Sequence, residues 1–305
     1  MKRHSTLAIA IAAAVAASAA VVTGTGAAAP LALDWESAQQ HTMPGGPPPG
    51  WAKEYDPSVR HENGEPQART ATAPEPVRAG GHAARFELRK DDPVINNGAR
   101  AELSHDFRTG EQWYGFSTYL KDWAPDQAPD IVTQWHQHWE VGSSPPLSIN
   151  TRKGGWEISQ NWEGHSEQTP VGPYESNKWT DWVVHVKWSA GADGVLRIWK
   201  DGKPVPGFEN RTGRNNYDDD RGNYMKVGIY KWPWSQGRPS DTDTRVLYHD
   251  ETRIAGADGS YEAVAPGGGS ATPRDEVDPV DGVRMIHPSK PGGPSSATTP
   301  ATGSA

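Results

Sequence analysis

The chain has 305 residues, a formal net charge of −8 at neutral pH and no cysteine. Without cysteine it can form neither disulfides nor thiolate metal sites, so a folded domain must depend on its core. The negative charge argues against a general affinity for nucleic acid or anionic membranes, but a locally basic groove for an anionic sugar remains compatible with it.

The N-terminus has the layout of a secretory signal peptide. Lys2 and Arg3 precede an apolar stretch from Leu7 to Val22, and small residues follow at 27–29. This pattern predicts a signal peptide over residues 1–29. We therefore expect a secreted, extracellular protein that has no membrane anchor after cleavage.

The C-terminal residues 266–305 are dominated by Gly, Pro, Ser, Thr and Ala. Such a composition buries too little apolar area to offset the entropy lost on ordering, so a disordered tail is predicted. Residues 31–265 remain as one folded domain, a plausible size for an all-β unit.

Between these ends, short alternating segments are separated by turn residues. In chain order they are Ala84–Arg89, Arg100–His105, Trp113–Leu120, Ile131–Trp139, Leu147–Thr151, Trp156–Trp162, Trp182–Trp188, Val195–Lys200, Tyr224–Tyr230 and Arg245–Ile254. Asp201-Gly202 is a two-residue hairpin signal. The spacing favours an all-β antiparallel sandwich or jelly roll, in which two curved sheets create one concave face.

The chain contains fourteen tryptophans. Indole rings stack on sugar faces, but aromatic side chains also fill sandwich cores. We expect more than half of the tryptophans to be core residues.

Three strings carry polar side chains on strand-like segments. They are Arg-Ala-Glu-Leu at 100–103, Gln-Trp-His at 134–136 and Tyr-Met-Lys-Val-Gly-Ile-Tyr at 224–230. Residues two apart share a face of a strand. The sets that share a face are Arg100 and Glu102; Gln134, His136 and His138; and Tyr224, Lys226 and Tyr230. Each strand thus offers one polar face and one apolar face.

These residue types fit the cleavage of a uronic acid polymer by β-elimination. The sugar carboxylate must be neutralised, a base must remove the C5 proton, and an acid must protonate the leaving oxygen. Arg100 offers a fork of donors to a carboxylate, and Gln134 adds an amide donor. The ordinary pKa of a histidine side chain is near neutrality, so His136 could act as a base there. Tyr230 can protonate the leaving oxygen, and Lys226 nearby would favour its phenolate form.

Stereochemistry decides how many catalytic groups are needed. In D-glucuronate and D-mannuronate the C5 proton and the C4 oxygen lie on the same side, so one tyrosine can serve as base and acid. In L-guluronate and L-iduronate they lie on opposite sides, and a histidine base must face a tyrosine acid. The chain has both candidates, so residue types alone leave the sugar open.

The three strings, in that order, resemble the motifs of the alginate lyases of polysaccharide lyase family 7. The wider sequence, including Arg-Phe-Glu-Leu-Arg at 85–89 and Tyr-His-Asp-Glu-Thr-Arg at 248–253, is similar to the heparin lyase I-type and glucuronan lyase group, family 20. The resemblance covers about residues 34–265 and implies a β-jelly roll.

The resemblance also implies roles for the residues. Arg100 and Gln134 would bind the substrate carboxylate, His136 would be base or neutraliser, and Tyr230 would be acid, or acid and base. No cofactor is required for this chemistry. The partner is expected to be an acidic polysaccharide and the protein a monomer.

Two departures bear on the substrate. Trp135 stands where the alginate enzymes usually have Ile or Val, and Lys231-Trp232 follows Tyr230 where they usually end in Gln. These positions weaken the alginate interpretation. Because secreted bacterial and fungal relatives of this size include β-1,4-glucuronan lyases, the resemblance implies a glucuronate-containing polymer, β-1,4-glucuronan first. The alternatives are an alginate or heparin-type lyase, or a non-catalytic carbohydrate-binding protein.

Other site residues have competing interpretations. Lys226, Tyr224, Glu102 and His138 are predicted to bind substrate. Arg100 and Glu102 could instead form an ion pair on a solvated sheet face.

Metal binding is a further hypothesis. His136 and His138 could hold zinc with His165 or His185. A structural calcium ion held by Glu36 and Asp250 is a separate, tentative expectation, motivated by the sites that sandwich domains of the resembling families often carry between terminal strands.

Overall fold

The computed structural model describes residues 28–33, 35–36, 50–61, 64–142 and 144–267. The predicted signal peptide lies outside these residues except for 28–29, and the predicted tail except for 266–267. No helix in the described ranges is long and apolar enough to cross a membrane.

The described residues form sixteen strands and two single-turn helices. The strands are β1 Leu31–Ala32, β2 Trp51–Glu54, β3 Ala68–Thr72, β4 His82–Arg89, β5 Arg100–Arg108, β6 Glu111–Lys121, β7 Asp130–His136, β8 Leu147–Arg152, β9 Gly155–Trp162, β10 His165–Pro173, β11 Trp179–Lys187, β12 Val195–Lys200, β13 Lys203–Pro204, β14 Arg211–Thr212, β15 Asn223–Tyr230 and β16 Thr244–Ala255. The helices are α1 Trp232–Ser235 and α2 Tyr261–Val264.

Two antiparallel sheets pack into a sandwich, as the strand spacing predicted. One sheet has seven strands in the order β10-β9-β8-β7-β15-β5-β2. The other has nine, with a main path β13-β12-β11-β6-β16-β4-β3, to which β1 and β14 are attached. The fold is the predicted β-jelly roll.

The core lies between the sheets and is built from the apolar faces of the alternating strands. On β15, Met225, Val227 and Ile229 are at most 2% exposed. Eight of the fourteen tryptophans are buried: Trp35, Trp51, Trp123, Trp135, Trp156, Trp182, Trp188 and Trp234. The expectation that most tryptophans belong to the core is therefore confirmed.

The residue pattern did not predict several of the strands, and it predicted one strand that is too long. β2, β3 and β10 were not predicted; β10 contains Pro170 and Pro173 and lies at a sheet edge, where proline is tolerated. β7 ends at His136 instead of Trp139. The reason is visible at His138, whose backbone N–H donates to the Asp219 carboxylate (3.1 Å) rather than to a neighbouring strand.

Candidate active site

The exposed face of the seven-stranded sheet forms a groove of about 1320 Å³. The charged side chains in its lining are five basic residues, Arg100, Arg152, Arg221, Lys226 and Arg238, and two carboxylates, Glu54 and Glu157. The groove is thus locally basic although the protein as a whole is acidic. Its charge is therefore compatible with binding of an anionic sugar.

The three motifs meet because β15 lies between β5 and β7. The register pairs Tyr230 with Arg100, Lys226 with Gln134 and Tyr224 with His136. Adjacent strands are about 4.8 Å apart, so paired side chains on one face are neighbours. The structure therefore places the predicted catalytic residues on three adjacent strands, with His136 level with Tyr224 and Arg100 level with Tyr230, six residues further along β15.

A buried ion cluster lies at the centre of this arrangement. Arg100 Nη1 donates to Glu54 Oε2 at 3.0 Å and to Glu102 Oε2 at 3.1 Å. Lys226 Nζ donates to the same Glu54 oxygen at 2.7 Å. All four side chains are at most 6% exposed, so two cations are balanced by two carboxylates away from water. The solvated ion pair considered for Arg100 and Glu102 is thus wrong.

Gln134 and Glu102 lie behind the groove surface. Gln134 is fully buried, and its Nε2 donates to Glu102 Oε1 at 2.6 Å. Among the described residues, Gln134 Oε1 has no hydrogen-bond partner. In this arrangement Gln134 orients Glu102, which in turn holds Arg100. Direct contact with a sugar carboxylate would require the Gln134 amide to turn.

His136 is held in one tautomer. Its Nδ1 lies 2.8 Å from the Gln137 carbonyl oxygen, which can only accept, so the proton of a neutral ring is on Nδ1. Burial and the nearby Lys226 charge lower the pKa of His136 to about 3. The imidazole is therefore neutral near pH 7, and Nε2 carries a lone pair that can accept a proton.

Tyr230 and Tyr224 line the groove on either side of Lys226. The guanidinium carbon of Arg100 lies 4.2 Å from the centre of the Tyr230 ring, and Lys226 Nζ lies 5.3 Å from that of Tyr224. Burial raises the pKa of both phenols, although the Arg100 charge opposes the rise. Both tyrosines are thus protonated at neutral pH and able to act as acids.

This convergence of guanidinium, imidazole and phenol agrees with the comparison to known families. Residues 49–253 match the family model described as polysaccharide lyase. The chain belongs to the polysaccharide lyase family. It is a lyase enzyme, and its substrate is a polysaccharide.

Solved structures that are similar to this lyase include two other lyases. One is the endo-β-1,4-glucuronan lyase from the fungus Trichoderma reesei, with a TM-score of 0.56 and 20% identity over 69% of this chain and 97% of that chain. Another is alginate lyase A1-II′, a member of polysaccharide lyase family 7, with a TM-score of 0.43 and 15% identity over 57% and 79%. A search of the curated proteins found no match.

The structure shows which residues at the two departures from the alginate motifs can contact substrate. Trp135 of the lyase is fully buried and packs against the rings of Tyr114 and Phe116 on the opposite sheet. Lys231 is also fully buried, whereas Trp232 lines the groove. Of these three residues, only Trp232 can therefore contact substrate. Trp135 and Lys231 are part of the packed interior.

His138 lines the groove from a turn rather than from strand β7. Its ring lies 6.2 Å from that of Phe107, which in turn lies 4.6 Å from that of Tyr224. His138 thus borders the site at the end distant from Tyr230, and its predicted contact with substrate stays a prediction.

Glu54 is the site residue that the sequence analysis missed. It lies on β2, in a loop-rich part of the chain without clear alternation, yet its register partner is Glu102. One signal was available: burying both Arg100 and Lys226 requires two carboxylates, and the motifs supply only Glu102. A second acidic residue from outside the motifs was therefore to be expected.

Gly98 controls the position of Tyr230. A Cβ atom at residue 98 would overlap the Tyr230 ring and would lie 2.9 Å from Nη2 of Arg100. We expect Gly98→Ala to displace the phenol and to lower kcat at least tenfold with little change in the unfolding midpoint. Steady-state kinetics and thermal unfolding would check this. Gly110→Ala is a poor control because its φ is +70°, whereas Gly81→Ala, outside the groove, should leave kcat unchanged.

The tentative metal residues have other partners. Glu36 accepts backbone N–H groups of Gly81 and His82, at 2.9–3.0 Å. Asp250 accepts those of Arg78 and Ala79, at 2.8 and 3.2 Å. Both carboxylates thus bind the same segment, residues 78–82, and a calcium ion held by Glu36 and Asp250 stays a prediction.

No group of three His, Asp or Glu side chains in the described part of the lyase is placed to hold a metal ion. The zinc hypothesis is not supported there, since His185 stacks on Trp113 in the other sheet and bonds to Glu111. Calcium dependence stays a prediction, which unfolding with and without a chelator would test.

Proposed function

We propose that this lyase cleaves a uronic acid polymer by β-elimination and that its substrate is β-1,4-glucuronan. The observation that carries the proposal is that Tyr230, His136 and Arg100 face one locally basic groove. A sugar carboxylate next to Arg100 would have its charge partly neutralised, which makes the C5 proton more acidic.

The reaction needs only proton transfers. A base takes the C5 proton, the C4–O bond breaks as the C4=C5 double bond forms, and an acid gives a proton to the leaving oxygen. Tyr230 is protonated in the resting enzyme, so it can supply that proton directly when another group is the base. The products are an unsaturated uronide and a new chain end.

Fold similarity to the Trichoderma reesei glucuronan lyase supports glucuronan as the substrate. In D-glucuronate the C5 proton and the C4 oxygen lie on the same side of the ring. Tyr230 would then remove one proton and donate one, while Arg100 holds the carboxylate. On this route Tyr230 must first become a phenolate, which the Arg100 charge favours.

A polymer of L-guluronate or L-iduronate is a second candidate, and one observation favours it. The Nδ1–H group of His136 donates a hydrogen bond to the Gln137 carbonyl, so Nε2 has the lone pair that could act as a base. A histidine base and a phenol acid are the pair that elimination across opposite faces of the sugar requires. Alginate and heparin-type polymers contain such residues.

A substrate screen distinguishes these candidates. Purified enzyme would be incubated with glucuronan, alginate, heparin and hyaluronan, and the ultraviolet absorbance of the unsaturated uronide followed. We expect the highest rate on glucuronan, with His136→Ala retaining part of the activity. Highest activity on a guluronate-rich polymer, lost completely in His136→Ala, would favour the second candidate. Absence of product from all four polymers would contradict the proposal.

The pH dependence of kcat/KM identifies the base. Because the pKa of His136 is lowered to about 3, the ring is neutral throughout the range above that value, and we expect no inflection near pH 6.5. If Tyr230 is the base, the rate should rise with pH until the phenol ionises. If His136 is the base, the rate should stay level and fall when Tyr230 loses its proton. An acidic limb near pH 6.5 would contradict the assigned state of His136.

We also propose that the lyase acts outside the cell as a monomer. The signal-like N-terminus and the polymeric substrate support secretion. Among the described residues, the large hydrophobic side chains that are exposed are Val94 and Trp139, too few for an apolar association surface. Mass spectrometry of culture medium and size-exclusion chromatography with light scattering would test location and oligomeric state.

A further inference from the structure

One end of the groove carries two exposed arginines, Arg152 and Arg238. The guanidinium carbon of Arg238 lies 4.6 Å from the centre of the Trp232 ring, and Arg152 Nε donates to the Gln127 carbonyl at 3.1 Å. Both arginines are exposed and line the groove. Within the described ranges neither forms an ion pair with a carboxylate. Their charge is therefore available to a ligand.

The other cations of the groove are already paired. Arg100 and Lys226 share Glu54, at 3.0 and 2.7 Å. Arg221, at the end that contains His138, contacts both Glu140 (2.7 Å) and Asp219 (2.8 Å). The positive charge that could attract an anion thus lies mainly at the Arg152 and Arg238 end.

A polar surface connects this end to Tyr230. The register runs from Tyr230 through Ile131 to Asn150, and Arg152 follows on the same face of β8. Asn150 is 4% exposed, and its Nδ2 donates to Ser159 at 2.7 Å, but no described residue donates to its Oδ1. A sugar hydroxyl in the groove could supply the missing donor.

Glu157 is the carboxylate of this end, and its register partner is Asn150. It offsets one of the two arginine charges, so a net positive charge remains beside Trp232. Trp232 follows Tyr230 by two residues and lines the same groove.

We propose that Arg152, Trp232 and Arg238 form a second subsite, which binds the carboxylate of a uronate residue next to the one that is cleaved. Guanidinium groups match carboxylates in geometry and charge, and the indole offers a flat face to the sugar ring. The inference rests on the proposed polyuronate substrate and narrows it. The enzyme should prefer polymers with a carboxylate on successive sugars over polymers in which uronates alternate with uncharged sugars.

The test separates binding from chemistry. The variants are Arg152→Gln, Arg238→Gln and the double variant, assayed on glucuronan at several salt concentrations. We expect KM to rise about fivefold in each single variant and more in the double variant, with kcat within twofold of wild type. The dependence of KM on salt should weaken, because fewer charges contact the polymer. Arg197→Gln removes an arginine whose partner is Asn210, on the other sheet, and should leave KM unchanged.

The results distinguish this inference from the proposed function. Unchanged KM and salt dependence in the double variant would overturn the subsite, even if Tyr230→Phe abolished activity. If wild-type enzyme cleaved no polyuronide, calorimetric binding of glucuronate oligomers to wild type and to the double variant would still test the subsite. Equal binding, or weakened binding only of sulfated heparin fragments, would contradict a carboxylate subsite.

Discussion

Replacing Tyr230 with Phe should lower kcat by a factor of about 10²–10⁴, because the substitution removes the group that protonates the leaving oxygen. The change deletes one oxygen atom and keeps the ring that stacks with Arg100, 4.2 Å from its centre. KM should change little, since Arg100, Lys226 and the groove wall remain. The rate is measured from the absorbance of the unsaturated product, and binding of uronate oligomers by calorimetry.

Two other tyrosines serve as comparison sites for the Tyr230→Phe experiment. Tyr119 lies on the opposite sheet against Trp179 and Tyr248, and Tyr119→Phe should retain wild-type kcat. Tyr224 lies in the groove, 5.6 Å from the His136 ring, and Tyr224→Phe should affect KM more than kcat. If Tyr224→Phe were inactive and Tyr230→Phe active, the catalytic role would belong to Tyr224.

The second large effect concerns stability. Lys231 is completely buried, and its Nζ lies 2.8 Å from Asp130 and 3.1 Å from Asp126. Arg245 binds Asp130 from the other sheet at 2.9 Å, so two cations balance two carboxylates. Lys231→Met would leave one negative charge unbalanced in the core. We expect a loss of about 3–5 kcal/mol in the free energy of unfolding.

Urea unfolding would measure this loss, with Lys187→Met as the control. Lys187 pairs with Asp193 at 2.7 Å on the protein surface, and its removal should leave the urea midpoint almost unchanged. Equal midpoints for Lys231→Met and wild type would show that the buried cluster contributes little. Because Lys231 directly follows Tyr230, loss of its ion pairs should also displace the phenol and reduce kcat.

The alternation of polar and apolar residues was sufficient to predict the strands that carry the motifs. Alternation assigned Met225, Val227 and Ile229 to the core and the polar residues of the same strand to the opposite face. It failed where a strand lacks alternation or lies at an edge, as in β2 and β10. It also failed beyond His136, where the backbone N–H of His138 donates to a carboxylate 81 residues away instead of continuing the strand.

Residue identities in the three motifs determined the reaction class, since a guanidinium, an amide, an imidazole and a phenol are the groups that elimination next to a carboxylate requires. Only the tertiary structure decided what those groups can do. Strand pairing between residues more than a hundred positions apart placed Tyr230 beside Arg100. The pairing of β2 with β5 brought Glu54 next to Arg100. Burial and neighbouring charges, which arise from packing and not from any local sequence pattern, then fixed the proton on Tyr230 and the lone pair on His136.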